Sequence, residues 1–285
     1  MITAKLKFFS LALIFFLSVY SCKVDPPLIH IENLNGNKIF AFGHEGMGIS
    51  WRYPINTYQS LEECLNLPVD GTEMDVQMTS DSVLFAFHAS DLSEVSNCSG
   101  RVNDHTWSEI KDCLYNSPIS SDLHFITIDS LFQRMKDPGK FIFTFDTKWV
   151  TGSSDLQKYQ DQFTSAIVRM AKKFNLEDHL YVESQIPAFL DLLRQKDEKI
   201  KLFFYPANYT TEEAMELAKK KNWFGITVSN KNTSREQVQE AHRMGLRVTL
   251  WNTQTEADNL NAIKKNPDFI QTDKINNLLT LKRSN

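Results

Sequence analysis

Two histidines and several carboxylates stand at the ends of short apolar runs: Gly43-His44-Glu45-Gly46, Gly71-Thr72-Glu73-Met74-Asp75, Phe87-His88 and Phe145-Asp146-Thr147-Lys148. Carboxylate oxygens are the ligands a hard divalent cation prefers, and imidazole, with an ordinary pKa of about 6.5, gives and takes protons at neutral pH. Together they suit metal-assisted cleavage of a phosphate ester, whose negative charge repels an attacking oxygen until a cation offsets it. Glu73 and Asp75 are two apart, so on a strand they face one way and can share one ion. Nothing has the Cys/His spacing of a zinc site, so the expected cofactor is one divalent cation, Mg2+ or Ca2+. Singly these signals are weak, because strand-end histidines are commonly structural and Glu-x-Asp is common on solvated edges. Here the acids sit in the apolar stretch Val69 to Val76, where burying unpaired carboxylates is expensive.

Positioning them requires a scaffold. Eight β-rich runs alternate with amphipathic helices: Ile39–Gly43, Gly71–Val76, Phe141–Asp146, Leu180–Glu183, Lys201–Phe204, Phe224–Val228, Arg247–Trp251 and Phe269–Thr272. Helices are expected over Asp155–Phe174, Ile186–Arg194 and Glu256–Lys265, and after the capping boxes Thr210-Thr211-Glu212-Glu213 and Ser234-Arg235-Glu236-Gln237, with Gly245 ending the latter. The alternation fits an α/β fold, either a (β/α)8 TIM barrel or a doubly wound open sheet. The acids favour the barrel: Glu73, Asp75 and Asp146 come late in their strands, with His44 just after the first, and barrel strand ends share one mouth. A ninth β-like run, Val83–His88, is followed by a polar stretch, about 89–123, expected to be an insertion folding over that mouth.

The 285 residues are 42% hydrophobic, enough for one large core, and the net charge of −4 argues against a nucleic-acid partner. Nothing points to a protein partner. Lys5 and Lys7, an apolar run from Phe8 to Leu17 and small residues before Cys22 describe a secretory signal too short to span a bilayer. Ser21-Cys22 resembles a bacterial lipobox, although Tyr20 is larger than usual there. That likeness implies cleavage after residue 21, lipid on Cys22, a tether over 22–37 and a catalytic domain over 38–285. The expected location is the cell envelope, anchored to a bacterial membrane. Of the remaining cysteines, Cys98 and Cys113 bracket a loop-rich stretch and are the expected pair, leaving Cys64 free.

Several motifs in order resemble the glycerophosphodiester phosphodiesterase family: His44-Glu45-Gly46, Pro54-Ile55-Asn56-Thr57, the run Glu73-Met74-Asp75-Val76 to Asp81, His88-Ala89, Gly245 to Thr253 and Asp268 to Lys274. The resemblance implies a TIM barrel hydrolysing glycerophosphodiesters to glycerol 3-phosphate and an alcohol, through a cyclic phosphate that water opens. It implies His44 and His88 as general acid and base, Glu73, Asp75 and Asp146 as metal ligands, and Lys148 as a phosphate contact. Glu45 and Trp251 are further candidates for substrate contact, although Trp251 equally fits a core position and Asp146 could cap a loop. Asp273-Lys274 reads as barrel closure, and His30, His105, His124, His179 and His242 as surface or helix residues.

Three departures stand out. Glu45 replaces the family's phosphate-binding arginine, Ala89 its acid after the second histidine, and Asp146 its usual glutamate. An extra like charge at about 4 Å and an effective dielectric near 20 costs roughly 4 kcal/mol. Glu45 could turn away, be compensated by Arg52 or Lys148, or help hold the cation. A related barrel branch, the sphingomyelinase D-like and phospholipase-like enzymes, lacks the arginine, which leaves intact phospholipids as alternative substrates. A barrel that binds a phosphate ligand without cleaving it is the third reading.

Overall fold

The computed structural model describes residues 38–282; the signal-like segment, the tether and Cys22 lie outside them. The chain runs β1 (Phe40–Gly43), α1 (Tyr58–Leu65), β2 (Gly71–Met78), β3 (Leu84–Ala86), α2 (Trp107–Ile110), α3 (Ile128–Arg134), β4 (Ile142–Thr147), α4 (Leu156–Phe174) and β5 (Leu180–Ser184). It continues α5 (Pro187–Lys196), β6 (Lys201–Phe204), α6 (Thr211–Lys220), β7 (Gly225–Ser229), α7 (Arg235–Arg243), β8 (Arg247–Thr253), α8 (Glu256–Lys265), β9 (Phe269–Thr272) and α9 (Ile275–Lys282). The parallel strands follow the order β1-β9-β8-β7-β6-β5-β4-β2, and β1 pairs with β2 to close the ring. This is the (β/α)8 barrel; the open sheet is excluded by that last pairing.

Period-2 alternation sorts the strand residues. In β2, Met74, Val76 and Met78 join the core between sheet and helices, while Glu73 and Asp75 turn to the mouth. The lower interior is filled by rings, with Phe42, Tyr181, Phe203 and Phe269 forming a separate buried cluster. Phe269 meets Tyr181 and Phe203 edge-on, at 5.4 and 5.7 Å between centroids. Gly71 lets β2 run close against β4, since a Cβ there would lie 1.9 Å from the Ile142 carbonyl oxygen.

The capping boxes at Thr210/Glu213 and Ser234/Gln237 are both formed. Gly245, at φ +81°, stands just past α7, and its N–H and that of Leu246 satisfy the His242 and Ala241 carbonyls. β3 runs antiparallel to β2 at the barrel's rim. Beyond it Leu92, Val102 and Tyr115 of the polar-looking segment pack with Phe85, Phe87 and Phe125 from its flanks in a separate apolar cluster. The segment's own members Leu92, Val102 and Tyr115 are scattered singly along the sequence, so no apolar run announces them. Cys98 and Cys113 are disulfide-bonded within it, and Cys64 is a buried free thiol. His242 is on a helix as expected but buried, its Nε2 2.8 Å from Asp268.

Candidate active site

Strand register brings the acids together. Asp75 pairs with Asp146 across β2 and β4, and Asp146 with Glu183 across β4 and β5, so three carboxylates form one row at the strand ends. Glu73 lies one inward position below Asp75. Ligand oxygens of Glu73, Asp75 and Asp146 all lie within 4.8 Å of one another. A cation at about 2.0–2.4 Å from each oxygen fits such a set. Like charges at this range destabilise one another. Burial, with Asp75 and Asp146 alongside, pushes the Glu73 carboxyl well above its usual range, and burial likewise raises Asp146. Burial also opposes ionisation of Asp75, but Lys148 overrides it and holds that carboxyl low. The Lys148 ammonium stands 2.7 Å from Asp75 and 2.6 Å from Asp146. The donor set is all oxygen, buried and short of counter-charge, which fits a hard divalent ion.

The loop after β1 is locked onto this set. Glu45 adopts φ +52° and Gly46 φ +91°, a turn so tight that a Cβ on Gly43 would lie 2.0 Å from the Gly46 carbonyl oxygen. The left-handed turn aims the Glu45 N–H at Glu73 Oε2, 2.9 Å away. Asn56, also left-handed, donates from Nδ2 to Asp75 Oδ2 (2.6 Å) and accepts the Asp75 N–H (3.0 Å), while its own N–H reaches the Glu45 carbonyl. This gives the Pro54-Ile55-Asn56-Thr57 turn its physical purpose, since Thr57 then caps α1.

His44 Nδ1 lies 2.8 Å from Asp273 Oδ1, just past β9. A carboxylate only accepts, so Nδ1 carries a proton, which in the neutral ring leaves the lone pair on Nε2, 3.9 Å from Glu73 Oε2. Asp273 therefore grips the first histidine as well as ending the barrel strand, a role the sequence did not reveal. His88 is placed by Gln77, the next inward residue of β2, whose Nε2 donates to the carbonyls of Phe87 (3.2 Å) and Ala89 (2.8 Å).

A cavity of about 270 Å³ joins His44, His88, the acids, Lys148 and Trp251. Trp251 stands at its wall against Tyr205, centroids 5.5 Å apart, so of its two readings the mouth position is the one observed. A larger cleft of about 360 Å³ lies outside the barrel by Tyr58, Arg134 and Phe141, remote from these groups. Glu45 is buried and lines the same cavity; it does not turn away. Arg52 cannot compensate it, because Arg52 is at the surface, paired with Glu63 and stacked on Tyr53. The sequence marks Glu183 only as a strand end. It is buried beside Asp146, accepts from Gln271 Nε2 at 2.7 Å, and burial pushes its carboxyl up to about 8. Its position at the end of a barrel strand, level with the other acids, was the available signal.

A sequence profile described as the glycerophosphoryl diester phosphodiesterase family matches residues 46–277. A glycerophosphodiester phosphodiesterase of Caldanaerobacter subterraneus subsp. tengcongensis is 23% identical over 237 residues, covering 83% of this chain and 95% of that protein. A shorter match, 39% identical over 74 residues, links 26% of this chain to 29% of a Bacillus altitudinis glycerophosphodiester phosphodiesterase. Among solved structures, a glycerophosphodiester phosphodiesterase from Parabacteroides distasonis superposes with a TM-score of 0.72 at 19% identity, covering 86% of this chain and 97% of that one. An Oleispira antarctica phosphodiesterase in complex with the product sn-glycerol-3-phosphate does so at 0.72 and 16%, covering 85% and 96%; at these identities the structures speak for the fold alone. With the profile spanning most of its length, the chain belongs to the glycerophosphoryl diester phosphodiesterase family and is an enzyme of the phosphoric diester hydrolase class.

Proposed function

We propose that the barrel mouth hydrolyses glycerophosphodiesters to glycerol 3-phosphate and an alcohol, with a divalent cation held by Glu73, Asp75 and Asp146. The observation that carries this reading is the convergence of that carboxylate set with His44, His88 and Lys148 around one cavity. Bound there, a divalent cation would offset the diester's charge and polarise its P–O bonds.

The chain's own groups do the rest. Lys148, kept protonated by Asp75 and Asp146, presents a fixed positive charge to the phosphate. His44, with Nδ1 tied to Asp273, takes a proton on Nε2 from the glycerol hydroxyl as it attacks phosphorus. His88 gives a proton to the departing alcohol. The cyclic phosphate then opens as the two imidazoles exchange tasks, His88 taking the proton of water and His44 protonating the glycerol oxygen. Trp251 and Tyr205 wall the mouth against bulk water.

The test is release of alcohol and glycerol 3-phosphate from water-soluble glycerophosphodiesters under Mg2+ or Ca2+. Turnover confined to intact phospholipid in vesicles would move the assignment to the sphingomyelinase D-like reading. Absence of turnover on either substrate would refute it. The cell-envelope location remains part of the proposal through Cys22. Cells fed labelled fatty acid should label the protein, and Cys22→Ser should not be labelled; equal labelling of both would remove the anchor.

A further inference from the structure

Glu45 and Glu183 are the two cavity carboxylates that neither the proposed cation set nor the proton-transfer pair uses, and Glu183 already accepts from Gln271. The Glu45 side chain is 2% exposed, and Oε2 is buried with no hydrogen-bond partner; His44 Nδ1, 3.7 Å away, is already committed to Asp273. A buried acceptor without a donor marks a missing partner. The Tyr115 hydroxyl, within electrostatic reach of Asp75 and Glu45, is also buried and unpartnered. Ligand atoms of Glu45, Asp75 and His88 lie within 4.8 Å of one another, and Asp75 also belongs to the all-oxygen set. Charge points the same way. Five carboxylates (Glu45, Glu73, Asp75, Asp146, Glu183) face one ammonium, so a single divalent ion leaves the cavity formally at −2 before an anionic substrate enters.

We infer that Glu45, Asp75 and His88 form a second cation site, selective for a borderline transition ion such as Zn2+, and that filling it switches the enzyme off. The donor sets separate the two sites by chemistry. Three carboxylates favour Mg2+ or Ca2+, whereas an imidazole with two carboxylates matches the donors of Zn2+ at about 2.0–2.2 Å. Asp75 has ligands to spare for both: Oδ1 takes Lys148 and Oδ2 takes Asn56, and each oxygen retains a lone pair. Inhibition follows from His88. An imidazole nitrogen bound to a metal has no lone pair for a proton, so the occupied site removes one member of the proposed proton-transfer pair. Only this last step rests on the hydrolytic reading above.

Binding is measured by titrating Zn2+ into the metal-stripped full chain resaturated with Mg2+, following heat, Zn2+ stoichiometry and Mg2+ release. One Zn2+ per chain without loss of Mg2+ is expected. Glu45→Gln and His88→Gln should each weaken it at least about tenfold, the lower limit even for a supporting residue. Zn2+ that displaces Mg2+ one for one, or binds both variants as it binds the parent, overturns the second site. X-ray absorption at the zinc edge on the unmodified protein needs no variant to fold: imidazole scattering supports the site, and an all-oxygen shell rejects it. Turnover under Mg2+ alone tests the hydrolytic reading separately. If that turnover is present, Zn2+ should suppress it at the stoichiometry of the binding curve, and turnover unaffected by bound Zn2+ rejects the switch.

Discussion

The lower and upper halves of the barrel interior are built from the same strands, yet they do opposite things for the molecule. Below, Phe42, Tyr181, Phe203 and Phe269 interlock, and burying each such side chain stabilises by about 1.5–3 kcal/mol. Above, often only two residues further along a strand, Glu73, Asp75 and Glu183 are buried and Asp146 half-buried, with Lys148 as their near counter-charge. Burying charge is unfavourable. The rings below supply the stability that lets the acids above be held so close together. Tyr181 and Glu183 show the contrast at its sharpest, on one strand and facing one interior.

Substitutions can break this contrast from either side. The largest effect is expected for His44→Ala, which should lower kcat by about 10²–10⁴-fold while leaving the melting temperature nearly unchanged. A comparable loss of stability would mean His44 is structural. In the lower layer, Phe203→Ala should destabilise by about 3–5 kcal/mol, read as a fall of several degrees in melting temperature. No fall would show that the rings do not bear on one another. Asp273→Asn should cost about 10–100-fold in kcat with KM little changed, because it loosens His44 without touching substrate; an effect on KM alone would deny it that positioning role.

The smallest effect concerns pH. The Glu183 carboxyl rises from 4.5 to about 8 on folding. Between those values the folded chain keeps a proton that the unfolded chain has lost. This contribution to stability is full below about 4.5 and falls by about 1.4 kcal/mol per pH unit until about 8. With chelator present, Glu183→Gln should flatten the decline of melting temperature between about pH 5 and 8. Parallel curves for the two proteins would show that Glu183 contributes nothing to it.

Much of this architecture was legible because β-strands and helices advertise themselves by period. All eight barrel strands lie where alternating apolar runs stop at an acid, a glycine or a turn, and the capping boxes mark α6 and α7 correctly. The short α1, α3 and α9 were not read, since seven or eight residues carry too little periodicity to stand out. Glu73, Asp75, Asp146, Lys148, His44 and His88 could be named because they sit in local motifs, and the structure brings them round one cavity. Asp273 escaped because its partner is 229 residues away. Arg52 was a plausible counter-charge by proximity along the chain, yet it turns outward to Glu63. The core of the insertion was hidden because its residues are scattered.

The bond between His44 and Asp273 has a consequence for biogenesis. A polypeptide made from its N-terminus must wait until the last barrel strand has emerged before that imidazole is held in place, and β1 must then settle between β9 and β2. An incomplete nascent chain thus lacks a properly tethered first histidine, so under the proposed mechanism turnover awaits synthesis of the whole ring.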